Sequence, residues 1–126
     1  MTAITITSFG YGHAPAPEAT VVVDLRGTLP ERTSPLQNTA AEAEEIRAAA
    51  FRSPGEADLR ANLVNIAATL TGLAEHTGTP ASLAVGSTAG RYPASSLAMS
   101  IADDLHARGY SAVVVHRDLY RDPAEH

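Results

Sequence analysis

Cysteine and lysine are absent from this 126-residue chain, and aromatic residues make up only 5% of it. Without cysteine the chain has no disulfide, no thiolate nucleophile and no cysteine-based metal site. Without lysine, and with a formal charge of −5, it presents no broad basic surface for nucleic acid. No apolar run approaches the ~20 residues of a membrane span. We therefore expect a cytoplasmic protein that makes no membrane contact.

Hydrophobic residues are nevertheless plentiful, at 44% of the chain, and many of them are alanine. A chain of this length and composition is expected to fold as one domain, residues 1–126, around a core of small and branched side chains. No internal repeat, low-complexity segment or interdomain linker is visible.

Alternating and continuous apolar runs predict four strands, at residues 3–8, 20–25, 81–85 and 111–116. The second run is almost entirely apolar, which is typical of a strand buried on both faces.

Three further segments are predicted to be helices. The first, over 40–51, follows Thr39-Ala-Ala-Glu42, which resembles a capping box. The second begins with Ser53 as its N-cap and Pro54 in its first turn. The third runs from Pro93 to Arg108. The stripes expected to face the core are Leu59, Leu63, Ile66, Leu70 and Leu73 in the second helix, and Leu97, Ile101 and Leu105 in the third.

Strands that alternate with long helices predict an α/β fold, in which helices cover a mainly parallel four-stranded sheet. Ligands of such sheets bind beyond the carboxyl ends of the strands. The segments expected there are 9–13, 26–32, 86–91 and the residues after His116.

The turn at 86–93 is the most specific local pattern, a strand followed by a glycine-rich loop and a helix start. Free N–H groups and the helix dipole make such a turn favourable for an anion, usually phosphate. It has neither the Lys-Ser/Thr ending of a Walker loop nor the spacing of GxGxxG. Either Ser87 and Thr88 donate hydroxyls to a phosphate that Arg91 clamps, or they only cap the turn and Arg91 is solvated.

Two other pairs have alternative interpretations. Asp24 and Arg26 either face a ligand together, or Asp24 accepts hydrogen bonds from neighbouring backbone N–H groups. His13 and His116 lie near the same sheet edge, either as an acid–base or ligand pair or as histidines with ordinary hydrogen bonds. The histidines show no paired metal-ligand spacing, so no metal site is expected.

Four stretches, taken together, resemble the C-terminal domain of the RNase adapter protein RapZ family over residues 4–119. They are Ser8-Phe9-Gly10 with a nearby Tyr-Gly, residues 23–26, the 86–90 loop, and His116-Arg117-Asp118-Leu119. The resemblance implies a module that binds an amino-sugar phosphate and small regulatory RNA, contacts an RNase and self-associates.

The loop departs from the family pattern Gly-Cys-Thr-Gly-Gly-x-His-Arg-Ser. Gly86, Thr88 and Gly90 match it, but Tyr92 and Pro93 replace the His-Arg pair that would grip a phosphate. The resemblance therefore implies weaker or altered anion binding. It also implies that the chain corresponds to the C-terminal module alone, without the family's N-terminal P-loop domain.

The preferred hypothesis is a non-catalytic ligand-binding, sensor or adapter domain that needs no cofactor. It would bind an anionic small molecule such as a sugar phosphate or nucleotide and mediate protein association as a homo-oligomer. The alternative is an RNA-binding adapter that acts with an RNase, against which the acidic charge counts. A phosphatase-like enzyme is disfavoured, because Ser87 and Pro93 occupy the two key positions of its Cys-x5-Arg pattern. The expected ligand residues are Ser8, Phe9, Gly10, His13, Asp24, Arg26, Gly86, Ser87, Thr88, Ala89, Gly90, Arg91, His116 and Arg117.

Overall fold

A computed structural model of the chain describes residues 3–29 and 55–121. The helix expected over 40–51 and residues 30–32 of the loop expected at 26–32 lie outside these ranges. The described elements are, in chain order, β1 (Ile4–Gly10), β2 (Val21–Asp24), α1 (Glu56–Thr77), β3 (Ser82–Ser87), α2 (Ala94–Ala107) and β4 (Ala112–His116).

The strands form one four-stranded sheet in the order β2-β3-β1-β4, and every pairing is parallel. The α/β fold with a parallel sheet is thus confirmed. Because all strands point the same way, their carboxyl ends meet at one border of the sheet. We call these strand ends, together with the residues that follow them (11–13, 25–29, 88–91 and 117–121), the carboxyl edge. Across it the register aligns Asp24 with Gly86, Gly10 with Ser87, and Ser8 with His116.

β1 and β3 each extend two residues further than the sequence predicts, to Gly10 and Ser87. The prediction of loops from residues 9 and 86 was therefore wrong by two residues each. Glycine usually signals the end of a strand, but here it permits close approach. A Cβ on Gly10 would lie 2.4 Å from the carbonyl carbon of Ala89, so only glycine allows the two segments to meet.

Both described helices cover the same face of the sheet. α2 packs on β1, β3 and β4, while α1 packs mainly on α2 and reaches β1 and β3. The core of this layer consists of Ile4, Ile6, Leu83 and Val85 from the sheet and Leu63, Val64, Leu97, Ile101 and Leu105 from the helices.

The opposite face carries a row of side chains from all four strands, Val22, Ala84, Thr7 and Val115, in direct register. If all crossovers are right-handed, the connection over 11–20 is expected on this face, because β1 to β2 runs along the sheet in the direction opposite to the two helical crossovers. No described helix packs there, and Val22 is 42% exposed. The prediction that β2 is buried on both faces was wrong, since its valines alternate between the core and solvent.

The stripe predicted for α1 is only partly correct. Leu63 is buried and Leu59 packs against the core, but Ile66 and Leu73 are exposed. The buried positions are Glu56 at the start of the helix and, further along, Leu63, Val64, Ala67, Thr71 and Ala74. Small residues are buried in place of the leucines because they allow α1 to pack closely against its neighbours, and the Thr71 hydroxyl is satisfied by the Ala67 carbonyl at 2.9 Å.

The helix starts also differ from prediction. Gly55 is the N-cap of α1, so the prediction that Ser53 is the N-cap was wrong by two residues. α2 begins at Ala94 with Pro93 at its N-cap, and its predicted stripe, Leu97, Ile101 and Leu105, is buried. Neither described helix is long and apolar enough to cross a lipid bilayer.

The packing of α2 predicts a large cost for cavity formation at its centre. Ile101 is fully buried, so Ile101→Ala should lower the free energy of unfolding by about 2–5 kcal/mol through lost burial and a residual cavity. Met99 in the same helix is 37% exposed, and Met99→Ala should cost less than about 1 kcal/mol. Urea unfolding followed by circular dichroism measures both values. Equal losses for the two variants would contradict this packing.

Candidate ligand site at the carboxyl edge

A buried carboxylate joins the end of β1 to the segment after β4. Asp118 is 1% exposed, and its Oδ2 accepts hydrogen bonds from the Gly10 N–H at 2.7 Å and from Arg117 Nε at 2.9 Å. Arg121 Nε lies 3.0 Å from Oδ1, an ion pair without hydrogen-bond geometry. Burial alone would raise the pKa of Asp118, but these hydrogen bonds and the charges of Arg117 and His13 outweigh it and hold the pKa below its ordinary value.

Arg117 fixes the connection that leaves β1. Its Nη1 donates to the carbonyl of Pro15 at 2.7 Å, and its Nη2 donates to the carbonyls of Ala14 at 3.1 Å and Gly10 at 3.3 Å. The guanidinium also lies over the Phe9 ring, 5.2 Å from its centroid. These contacts position the loop, so Arg117 can act on a ligand mainly through its charge.

The turn after β3 crosses the end of β1 and reaches the segment after β4. Gly90 has a φ of +78°, which favours glycine. A Cβ on Gly90 would lie 2.7 Å from the Gly10 nitrogen and 2.9 Å from the Asp118 Cβ. Three strand ends are therefore packed against one another at this glycine.

The hydroxyl of Ser87 caps this turn. Ser87 Oγ accepts a hydrogen bond from the Gly90 N–H at 3.1 Å. The carbonyls of Ser87 and Thr88 accept from the N–H groups of Tyr11 at 3.0 Å and Gly12 at 2.9 Å. Ser87 therefore caps the turn, which was one of the two interpretations of its sequence. The Gly90 N–H is used in this contact and is not free for an anion. The Thr88 residue is exposed, while Ala89 is buried.

Two polar atoms near the start of α2 lack a hydrogen-bond partner among the described residues. They are Nε of Arg91 and Oγ of Ser95, which is almost fully buried. The two residues are joined by a hydrogen bond from the Ser95 N–H to the Arg91 carbonyl at 2.7 Å. The other end of the Arg91 guanidinium donates from Nη2 to the carbonyl of Arg121 at 2.9 Å.

Asp24 and Arg26 form a bidentate pair at the end of β2. Arg26 donates from Nε to Oδ1 at 3.0 Å and from Nη2 to Oδ2 at 2.8 Å. Its N–H also donates to Oδ1 at 2.9 Å, so Asp24 does bond the neighbouring backbone as hypothesised. The hydrogen bonds from the Arg26 side chain and backbone lower the pKa of Asp24 to about 2. The guanidinium lies 3.7 Å above the ring of Tyr11, which meets Phe9 edge-on.

Ser8 and His116 lie side by side on β1 and β4, with 2.6 Å between Ser8 Oγ and His116 Nδ1. Burial lowers the pKa of His116 and so favours the neutral ring. Such a pair has the composition of a nucleophile and its base, but Ser8 is fully buried and closed to a substrate. His116 is therefore hydrogen-bonded to Ser8. His13, the other histidine of the predicted pair, acts electrostatically on Asp118.

A cavity of about 400 Å³ lies beside the end of β2. None of the residues 86–91 lines it, and two carboxylates in its wall oppose an anion there. The candidate ligand site is accordingly the open carboxyl edge and not this cavity. The cavity is lined mainly by Val23, Leu25, Leu29, Leu59, Asp24 and Glu56.

All fourteen residues named from the sequence lie in the described ranges, at the ends of the four strands or in the loops beyond them. Asp118 and Tyr11 lie in the stretches that resemble the family, but the sequence does not place them or Arg121 among the expected ligand residues. The available signal for Asp118 is its position directly after an apolar strand, close to Arg117 and Arg121 in the sequence. Tyr11 follows the strand containing Phe9, but nothing in the sequence indicates that Arg26 stacks on it.

Comparison with known proteins gives a family match across almost the whole chain. The family model described as RapZ C-terminal domain matches residues 2–120. A protein of Desulforudis audaxviator named nucleotide-binding protein is 34% identical over 122 residues, which cover 95% of this chain and 42% of that protein. A protein of Streptomyces avermitilis with the same name is 31% identical over 122 residues, 94% of this chain and 40% of its own length. The chain thus spans about two fifths of the length of these relatives.

The contacts of Asp118 predict a pH-dependent contribution to stability. Asp118→Asn should lower the free energy of unfolding by about 1.5–3 kcal/mol at neutral pH, because it removes charge-assisted hydrogen bonds. The pKa of Asp118 is lower in the folded state than the unfolded value of about 3.9. The contribution is therefore fully present above that value and is lost as the pH falls toward the folded pKa.

Urea unfolding from about pH 7 to about pH 3 tests this dependence. The difference between the wild type and Asp118→Asn should be constant above about pH 5 and shrink below about pH 4. Asp24→Asn is the matched control, since Asp24 also pairs with an arginine but is exposed, and its loss should be smaller. A difference for Asp118→Asn that does not change with pH would contradict the role assigned to its charge.

Proposed function

This chain belongs to the RapZ C-terminal domain family, and from that premise we propose that it binds an anionic, phosphorylated small molecule at the carboxyl edge. In this proposal the domain is a non-catalytic sensor or adapter whose output is protein association. The name of the two relatives, nucleotide-binding protein, supports a nucleotide or another phosphorylated compound as the class of ligand.

The observation that carries the proposal is the concentration of arginine at this edge. Arg26, Arg91, Arg117 and Arg121 lie there with Asp24 and Asp118. Among residues 3–29 and 55–121, these four positive charges against two negative ones leave an excess of two at the edge, or of one if Glu56 in the cavity beside Asp24 is included, on a chain whose formal charge is −5. A local positive potential on an acidic protein attracts an anion to one place and away from the rest of the surface.

The start of α2 supplies hydrogen-bond donors for such a ligand. Arg91 Nε and the buried Ser95 hydroxyl have no partner in the described part of the chain. Buried polar groups in native proteins are nearly always hydrogen-bonded, and the N-terminus of a helix favours negative charge. Of the two residues only Arg91 reaches the surface, so its guanidinium is the group that an oxyanion at this edge would contact, whereas the Ser95 hydroxyl is as closed to a ligand as that of Ser8.

The departures from the family pattern affect how tightly the ligand is held. Tyr92 and Pro93, which replace the family's His-Arg pair, are buried and bring no cation to the loop. The proposed site therefore depends on Arg91 and on the overall positive potential of the edge. We expect a ligand with a compact phosphate group that reaches the start of α2.

Thermal unfolding with inorganic phosphate, a hexose phosphate and a nucleoside monophosphate tests the proposal. A ligand present at 100 times its Kd should raise the free energy of unfolding by about 2.7 kcal/mol. Arg91→Gln should weaken binding by about tenfold or more, the equivalent of one charge-assisted hydrogen bond. Arg108→Gln is the matched control, because Arg108 follows α2 at its far end and contacts Asn65.

The absence of a response to all three anions would contradict the proposal, as would equal weakening by the two substitutions. A gel shift with a structured RNA at physiological salt tests the RNA-binding alternative. RNA binding requires several cations acting together, and Asp24 and Asp118 offset two of the four arginines, so no shift is expected. A shift that Arg91→Gln abolishes would favour the RNA-binding adapter instead.

A further inference from the structure

The cavity beside the end of β2 has the size of a small-molecule site. Its volume is about 400 Å³, and binding sites for small ligands enclose about 300–1,000 Å³. One side of it is formed by β2 and the turn that follows, and the other by the start of α1. None of the residues 86–91 lines it, so it is separate from the turn at which Arg91 is proposed to contact an anion.

The wall of this cavity combines apolar surface with acidic groups. Its charged residues are Asp24 and Glu56, and no arginine, lysine or histidine lines it in the described part of the chain. Such a wall repels an anion and favours a ligand that carries positive charge on an apolar body. The apolar side chains of the wall are those of Val23, Leu25, Leu29 and Leu59.

The charge of Asp24 is already balanced within the protein. Arg26 donates to both of its carboxylate oxygens, at 3.0 Å and 2.8 Å. The two side chains are also about half exposed, so water screens what remains of their charge. The negative charge available to a ligand in the cavity is therefore that of Glu56.

Glu56 is buried but unpaired. The residue is 6% exposed, and among residues 3–29 and 55–121 no hydrogen bond or ion pair engages its carboxylate. Acidic side chains are almost never buried in native proteins unless they are paired. A buried carboxylate without a partner, in the wall of a cavity, indicates that the partner is a cation bound there.

The start of α1 explains how the free protein holds a carboxylate at this position. Glu56 is the first residue of the helix, where the helix dipole favours negative charge. The first helical hydrogen bond runs from the Leu59 N–H to the Gly55 carbonyl at 2.9 Å. The dipole is a weaker partner than a directly bonded cation, so a ligand cation can still add to the stability of this charge.

We propose that this cavity binds a small organic cation, a primary ammonium group on an apolar body. The ammonium would lie against Glu56, and the apolar body against Leu25, Leu29 and Leu59. An ammonium has hydrogen-bond donors only, and an ionised carboxylate has acceptors only. Because Glu56 is already buried in the free protein, binding adds only the desolvation of the ligand's own charge. The proposal goes beyond the proposed function and does not rest on it.

Three ligands with the same six-carbon chain test the sign of the charge, namely hexylammonium, 1-hexanol and hexanoate. Titration in phosphate-free buffer, followed by amide chemical shifts, gives both the Kd and the location. Hexylammonium should bind at least about tenfold more tightly than 1-hexanol, the equivalent of one charge-assisted hydrogen bond, and hexanoate should not bind. The amides that shift should be those of residues 23–29 and 55–59, with Arg91 unaffected.

The length of the chain tests the apolar wall. Each CH₂ added between butylammonium and hexylammonium should tighten binding about fourfold, which corresponds to the burial of one methylene group. An ammonium that is attracted only by the net charge of the protein would show no dependence on chain length. Equal Kd values for the two amines would therefore overturn the proposal.

Two substitutions in the first turn of α1 test the role of Glu56. Glu56→Gln keeps the shape of the side chain and removes its charge, so it should weaken hexylammonium binding about tenfold or more and leave 1-hexanol unchanged. Asp58→Asn is the matched control, because Asp58 is an exposed acidic residue of the same turn and should have no effect. Circular dichroism confirms that each variant is folded.

The proposal is overturned if hexylammonium does not bind, if hexanoate binds as tightly, or if the two substitutions weaken binding equally. Arg91→Gln separates this site from the anion site, since it should leave the Kd of hexylammonium unchanged. A loss of hexylammonium binding in that variant would also contradict the proposal. A missing response to phosphate compounds bears only on the proposed function, and a missing response to hexylammonium bears only on this cavity.

Discussion

The buried charge of Asp118 is the contact on which the carboxyl edge depends. A carboxylate removed from water is strongly unfavourable unless it is paired and hydrogen-bonded. Its partners, the Gly10 N–H, Arg117 and Arg121, are therefore held together at the end of β1 and beyond β4. Gly90 packs against both Gly10 and Asp118, so the turn after β3 is positioned by the same contact.

This arrangement divides the arginines of the edge into two groups. Arg117 is committed to carbonyls of the 10–15 segment and to Asp118, and it serves the architecture. Arg26 is exposed above Tyr11, and Arg91 retains an unpaired donor beside Ser95. A ligand would therefore meet a preformed surface in which the loop conformations are already fixed, and in which only part of the positive charge is available for contact.

Much of the fold follows from patterns visible in the sequence. Apolar strand patterns that alternate with segments of helical spacing predict the parallel sheet. They also predict that residues at the strand ends lie close together, which the register of Asp24 with Gly86 confirms. The lengths of β1 and β3 cannot be predicted from the sequence. A glycine such as Gly10 or Gly86 can either end a strand or allow two segments to pack closely. The buried stripe of α1 does not follow either, since close helix packing selects Ala67 and Ala74 over the larger Leu73.

The contacts within the site were the hardest part to predict. Asp118 lies among charged residues at the end of the chain, a setting typical of a solvated tail, and only the fold reveals its burial. The turn at 86–91 has the composition of an anion loop, yet the Ser87 hydroxyl already accepts a hydrogen bond from the Gly90 N–H, a donor that an anion would otherwise use. Residue types indicate which groups are present, whereas the register of neighbouring strands decides which of them are already satisfied.

Hydrogen exchange at the amide of Gly10 tests the central role of Asp118 most directly. Gly10 is the last residue of β1, where an amide without a partner would exchange rapidly. We expect it to exchange as slowly as the interior amide of Ile6. Asp118→Ala, which removes both acceptor oxygens, should accelerate exchange at Gly10 far more than at Ile6. Exchange at Gly10 as fast as in an unfolded chain would contradict this role of Asp118, as would protection at Gly10 that survives Asp118→Ala.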